Sequence, residues 1–207
     1  MSLKIEQVHK YFVGEVSGID LSDPLSKSEV TEIEEGMDQF GVLIFREQFL
    51  SDEEQVSYTK HFGELELHVG SNVLKGNERR LSLEFADVSN LDQDGEILKK
   101  GDRRRMFNLG NRLWHTDSSF RNIPSKFSIL SCRSSPKVGG NTEFSFMPAV
   151  YDELDEGTKQ EIADLITEHS LIYSRGQLGF SDFNEEEKQM FKPCLLYTSP
   201  SPRDRSL

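Results

Sequence analysis

The segment Asn111-Arg112-Leu113-Trp114-His115-Thr116-Asp117-Ser118-Ser119-Phe120 contains the pair of side chains with the clearest chemical use, His115 and Asp117. On a β-strand, residues two apart point to the same face. One imidazole and one carboxylate then converge on a point. They make two thirds of a two-histidine, one-carboxylate facial triad, the donor set that leaves open positions on iron(II). The pair alone is weak evidence, because the chain has 5 histidines and 36 acidic residues. Taken alone, it reads better as a surface strand pair. A zinc hydrolase would use the same donors, but it also needs a third ligand, and no general base is evident.

Several elements must position this pair. Residues 4–21 read as short strands broken at Gly14 and Gly18. Ser26 to Phe40 reads as a helix: Ser26 and Glu29 fit a capping box, and Val30, Ile33, Met37 and Phe40 recur at helical spacing. Val42 to Phe45 reads as a buried strand. Ser51 and Glu54 form a second capping box, opening a helix that ends near Gly63. From about Leu81, short apolar runs alternate with turn signals, and residues 113–120, 126–133 and 141–146 read as strands of a sandwich or barrel. Met147 to Leu154 and Thr158 to Thr167 read as helices, with a strand return over 170–175. Trp114 points away from the pair and reads as core.

The net charge is 24 − 36 = −12, which disfavours nucleic acid and anionic membranes as partners. Basic residues gather just before the pair: Lys99, Lys100, Arg103, Arg104 and Arg105. They read either as a solvated loop or as an attraction for an anionic substrate. No apolar run is long enough to span a membrane, and no secretory leader is visible. Cys132 and Cys194 form no disulfide framework, so a cytoplasmic setting is expected. A homo-oligomer remains open.

Beyond Asp117 the chain runs Gly139-Gly140-Asn141-Thr142-Glu143-Phe144. WHTDSSF followed by GGNTEF resembles the taurine dioxygenase and 2,4-dichlorophenoxyacetate dioxygenase family. VSGIDLS, GVLIFREQ and FGELELH are similar to the family too, and the likeness runs from residue 1 to about Pro193. The resemblance implies a mainly β (α+β) protein, with a double-stranded β-helix (jelly-roll) core and helices packed outside. It implies iron(II), 2-oxoglutarate as cosubstrate, and O2. His115 and Asp117 match the first two iron ligands. Thr142 matches a threonine that contacts a 2-oxoglutarate carboxylate. Asn111 matches a position lining the cosubstrate and substrate pocket, and Ser119 one near the organic substrate. His68 stands where some members grip an acidic substrate group, and Lys99 or Lys100 could serve likewise.

The resemblance also implies parts that this sequence lacks. The distal histidine and a cosubstrate-binding arginine come late in the family, at positions that would lie beyond Leu207. His169 is tempting as a third ligand but matches a different family position. His9 and His61 read as structural. Residues 1–193 are therefore expected to be the N-terminal part of a single dioxygenase domain with an incomplete core. Residues 194–207 lack periodicity and are expected to be a non-native or disordered tail that packs against nothing. The implied activity is hydroxylation of a C–H bond in a small organic acid, aryloxyacetate- or sulfonate-like, with release of succinate and CO2. The alternative is an inactive jelly-roll fragment or pseudoenzyme.

Overall fold

A computed structural model describes residues 3–67, 80–121 and 123–197. Its elements begin with β1 (Lys4–Gln7), β2 (Gly14–Ser17), α1 (Lys27–Phe40), β3 (Leu43–Phe45) and α2 (Asp52–Lys60). Then come α3 (Arg103–Asn108), a 3-10 turn (Leu109–Arg112), α4 (Met147–Glu153) and α5 (Glu156–Ile162). The last are β4 (Ile166–His169), α6 (Leu171–Gly176), α7 (Glu185–Met190) and β5 (Cys194–Tyr197). The chain divides into two compact units: Met1–Leu65 with Ile129–Lys159, and Glu66–Ser128 with Gln160–Leu207.

In the first unit β1 runs antiparallel to β2, which runs parallel to β3. Parallel neighbours need a crossover, and α1 supplies it. The capping boxes form as the sequence predicts. The Ser26 hydroxyl accepts from the Glu29 amide and the Ser51 hydroxyl from the Glu54 amide, while each glutamate accepts from its own cap's amide. Gly41 ends α1 with a φ of 67°, a left-handed conformation that glycine adopts without strain. Gly36 lets α1 lie close to β1: a Cβ there would stand 2.5 Å from Ile5 Cδ1. Leu21, Ile33, Leu50 and Tyr58 form the buried core, and burial pushes the Tyr58 phenol well above its ordinary pKa. Arg133 ties its segment to α2 through the Leu50 carbonyl, Asp52 Oδ1 (3.1 Å) and Gln55 Oε1 (2.9 Å).

In the second unit Phe180, Phe183 and Phe191 are buried against Met106, Phe107, Phe120, Leu171, Ile172 and Met190. The Glu187 side chain beside them is fully shielded from solvent. Its carboxylate accepts from Arg103 Nη1 (3.0 Å), Arg103 Nη2 (2.7 Å) and the Asn184 amide (2.9 Å). Arg103 also donates from Nε to Asp182 Oδ2 at 3.0 Å. Hydrogen bonding to Glu187 raises the guanidinium's pKa further.

Several expected strands do not form. Residues 113–120 make a turn, and neither 126–133 nor 141–146 carries a ladder among the described residues. A strand exists only where a second segment completes its hydrogen bonds, and alternation in sequence cannot supply that partner. Leu130 (61% exposed) and Phe144 (55%) are left exposed on these stretches. Residues 170–175 are helical rather than extended, because Ser170 caps α6 through the Tyr173 amide. The helix expected over 158–167 ends at Ile162, and its last residues join β4. β5 pairs antiparallel with β4, His169 facing Cys194 and Ile166 facing Tyr197. The tail expected from residue 194 therefore pairs over Cys194–Tyr197, while the remainder of it lies outside the described residues. No helix among the described residues is long and apolar enough to cross a membrane.

Glu187→Ala would leave the Arg103 charge half-buried and short of its main partner. We expect a loss of about 3–5 kcal/mol in urea unfolding. Asp182→Ala, at the exposed end of the same arginine, should cost about 1 kcal/mol or less.

Candidate functional site

The chain approaches His115 from α3 through the 3-10 turn, where the Leu113 amide donates to the Gly110 carbonyl at 3.1 Å. The His115 ring folds back so that Nδ1 lies 2.6 Å from the Leu113 carbonyl. A carbonyl only accepts, so Nδ1 carries the proton and Nε2 is free to act as a ligand. Nε2 stands 3.2 Å from Asp117 Oδ1. In the neutral ring both atoms are acceptors, and at that separation they repel unless a cation or a proton lies between them. The pair is also open, with side-chain exposures of 43% and 59%. This donor chemistry fits two positions of a metal site. Among the described residues no third histidine, cysteine or carboxylate joins them, His169 included.

The convergence comes from a turn rather than the expected strand. Ser118 has a φ of 56°, which reverses the chain directly after Asp117, and the Arg121 amide donates to the Ser118 carbonyl at 2.9 Å. A left-handed serine costs about 1 kcal/mol, and neighbouring contacts hold it. Ser118 Oγ donates to Glu66 Oε2 at 3.1 Å and lies 3.1 Å from Ser125 Oγ. Ser125 donates to the same carboxylate oxygen, and Arg121 Nε sits 2.5 Å from Glu66 Oε1. Glu66 is thus the hub of the turn. Sequence reasoning missed it, since one glutamate within FGELELH carries no local signal.

Ser119 Oγ donates back to the Thr116 carbonyl at 3.0 Å, so it also braces the turn. Asn111 is exposed and its Oδ1 accepts from Arg175 Nη2 at 3.3 Å. Thr142 is exposed and belongs to the first unit, following Gly139 and Gly140 with φ of 75° and 73°. Lys99 and Lys100 are exposed on the loop before α3. The arginines after them are engaged: Arg103 as above, Arg104 with Asp102 at 2.9 Å, and Arg105 with the Leu98 carbonyl at 3.1 Å. Their charge is largely used within the fold, which favours the solvated-loop reading for that part of the run. His68 lies outside the described residues. Trp114 is 69% exposed rather than core, with no described element covering it. His9 and His61 are structural, accepting from the amides of Tyr11 and Leu25.

The family model described as "Taurine catabolism dioxygenase TauD, TfdA family" matches residues 4–196. The chain belongs to this family. It is 38% identical over 196 residues to an alpha-ketoglutarate-dependent 2,4-dichlorophenoxyacetate dioxygenase of Burkholderia sp. (strain RASC), covering 93% of this chain and 65% of the relative. It is 32% identical over 166 residues to an (S)-phenoxypropionate/alpha-ketoglutarate-dioxygenase of Sphingobium herbicidovorans, covering 79% and 52%. The crystal structure of AAD-2 in complex with Mn(II) and N-oxalylglycine shares 52% identity at a TM-score of 0.90, covering 95% of this chain and 68% of that one. A putative alpha-ketoglutarate dependent 2,4-D dioxygenase from Burkholderia xenovorans shares 29% at a TM-score of 0.71, covering 95% and 63%. The chain thus spans between about half and two thirds of these relatives' lengths.

The turn offers a direct test. Ser118→Gly and Ser118→Ala both lose the hydroxyl, but only glycine adopts the left-handed backbone freely. Urea unfolding should find the glycine variant more stable than the alanine variant by about 1 kcal/mol. Equal stabilities would mean that residue 118 is not held left-handed.

Proposed function

We propose that the whole protein is an iron(II)- and 2-oxoglutarate-dependent dioxygenase that hydroxylates a C–H bond of a small organic acid. The observation that carries this reading is the convergent His115–Asp117 pair in a chain of this family. Iron(II), with 2-oxoglutarate and O2, supplies the oxidising power, and the cosubstrate leaves as succinate and CO2. His115 and Asp117 would provide two of the protein donors that hold the iron. The Leu113 carbonyl fixes the His115 tautomer, and Glu66, through Ser118, fixes the direction of the turn. Thr142 would donate its hydroxyl to a cosubstrate carboxylate. Asn111, Ser119, His68, Lys99 and Lys100 would line the organic substrate's path.

The relatives' names point to the substrate class, since they act on dichlorophenoxyacetate and phenoxypropionate. We take the substrate to be an aryloxyacetate-like acid, with a sulfonate as the other member of the class. The core would be the jelly roll of an oxygenase, with 126–133 and 141–146 as strands that gain their ladders from the rest of the whole protein. The exposed Leu130 and Phe144 fit that reading. The single domain would then include β5, so that any non-native tail begins after Tyr197.

The decisive assay is succinate formation. The whole protein with iron(II), ascorbate, 2-oxoglutarate and phenoxyacetate should form it, and His115→Ala or Asp117→Ala should lower kcat/KM at least about a hundredfold. The 207-residue chain alone should form none. Robust succinate from it would mean that a third ligand lies within these residues. Replacing Lys99 and Lys100 with alanine should raise KM more than it lowers kcat. Unchanged KM would remove both lysines from the site.

A further inference from the structure

The acid substrate needs a positive group, and the arginines of the basic run before the His115–Asp117 turn have little charge to spare. Of the half-buried arginines described, Arg103, Arg104 and Arg121 face carboxylates, and Arg105 a backbone carbonyl. Arg175 at the end of α6 differs. Its guanidinium lies over the Phe107 ring, 5.0 Å from the centroid. It rests against the backbone of Gly110 so closely that a Cβ there would stand 2.0 Å from Cζ. Nη1 donates to Ser174 Oγ at 3.2 Å and Nη2 to Asn111 Oδ1 at 3.3 Å. Nε is shut off from solvent with no acceptor among the described residues. The neighbours among the described residues are neutral, and burial pulls the guanidinium's pKa below the ordinary value. Leaving an arginine partly desolvated without a counter-ion is unfavourable, and an anion on the remaining Nη hydrogens would offset it.

The position suits a ligand. Asn111 opens the segment leading to His115, and Gly110 accepts from the Leu113 amide whose own carbonyl holds the His115 ring. The charge therefore sits on the backbone that carries the metal pair, beside a polar side chain that is exposed.

We propose that Arg175, with Asn111 beside it, binds the carboxylate of a small organic acid. This rests on the dioxygenase reading for the identity of the acid but not for the binding itself. Two carboxylates are at hand, that of the aryloxy acid and that of 2-oxoglutarate, and the same measurement separates them.

The test is isothermal titration of the whole, metal-free protein with phenoxyacetate, with neutral phenoxyacetamide and with 2-oxoglutarate. Arg175→Gln should raise the Kd for phenoxyacetate or for 2-oxoglutarate at least about tenfold, the loss expected for one charge-assisted contact. Arg175→Lys should lose less. Binding of phenoxyacetamide should not change. Whichever acid responds is the ligand, and either response supports the site. Asn111→Asp is the second variant, because it places a carboxylate on the guanidinium. It should abolish the preference for the acid over the amide while raising Tm. Three results overturn the proposal: unchanged Kd for both acids in Arg175→Gln, an equal loss for phenoxyacetamide, or an Asn111→Asp protein that still prefers the acid. Each would make Arg175 a packing residue, or one matched by a carboxylate elsewhere in the whole protein. Succinate formation is read separately, so the dioxygenase reading can stand where this site fails, or fail where it stands.

Discussion

The buried contact between Arg103 and Glu187 organises the second unit. A carboxylate removed from water is tolerated only when its lone pairs are filled, and this one takes two hydrogen bonds from Arg103 and one from the Asn184 amide. The arrangement joins residues 84 positions apart, at the start of α3 and in α7. The phenylalanines of that unit then pack around a fixed point, with Phe107 of α3 edge-on to Phe180 and Phe183. Because α3 leads straight into the 3-10 turn, fixing Arg103 also fixes the direction from which the chain arrives at His115.

The same contact commits part of the basic run's charge within the fold. Charges near one another in sequence add to an attractive field only if the fold leaves them unpaired. Here Arg103 is committed to Glu187 and Asp182, and Arg104 to the capping carboxylate Asp102. What remains is exposed lysine on the loop and a half-buried arginine far along the chain. These are different instruments: a hydrated ammonium in water attracts weakly, whereas a desolvated guanidinium holds a carboxylate in a defined orientation.

The His115–Asp117 pair shows how little secondary structure the convergence of two donors requires. Two donors two residues apart can converge from a strand or from a sharp turn. The turn needs Ser118 left-handed and something to keep it so. Glu66 does this by receiving two hydroxyls on one oxygen and meeting Arg121 on the other. The His115 tautomer is set within three residues, by the carbonyl of Leu113.

Sequence by itself determined what short-range chemistry decides. The capping boxes at Ser26 and Ser51, the first strands, the helix after Phe146 and the pairing of His115 with Asp117 all depend on residues within a few positions of one another. The family could be read for the same reason, since WHTDSSF and GGNTEF are contiguous strings. Tertiary structure decided whatever needs a distant partner. Residues 126–133 and 141–146 read as strands but form no ladder among the described residues, because a ladder belongs to two segments and sequence shows only one. The pairing of Cys194–Tyr197 with β4, the commitment of Arg103 to Glu187, the role of Glu66 and the exposure of Trp114 are likewise contacts, or missing contacts, with residues far along the chain. Hydrogen bonds and ion pairs act over a few ångströms in space whatever the separation in sequence, so only the folded chain could reveal them.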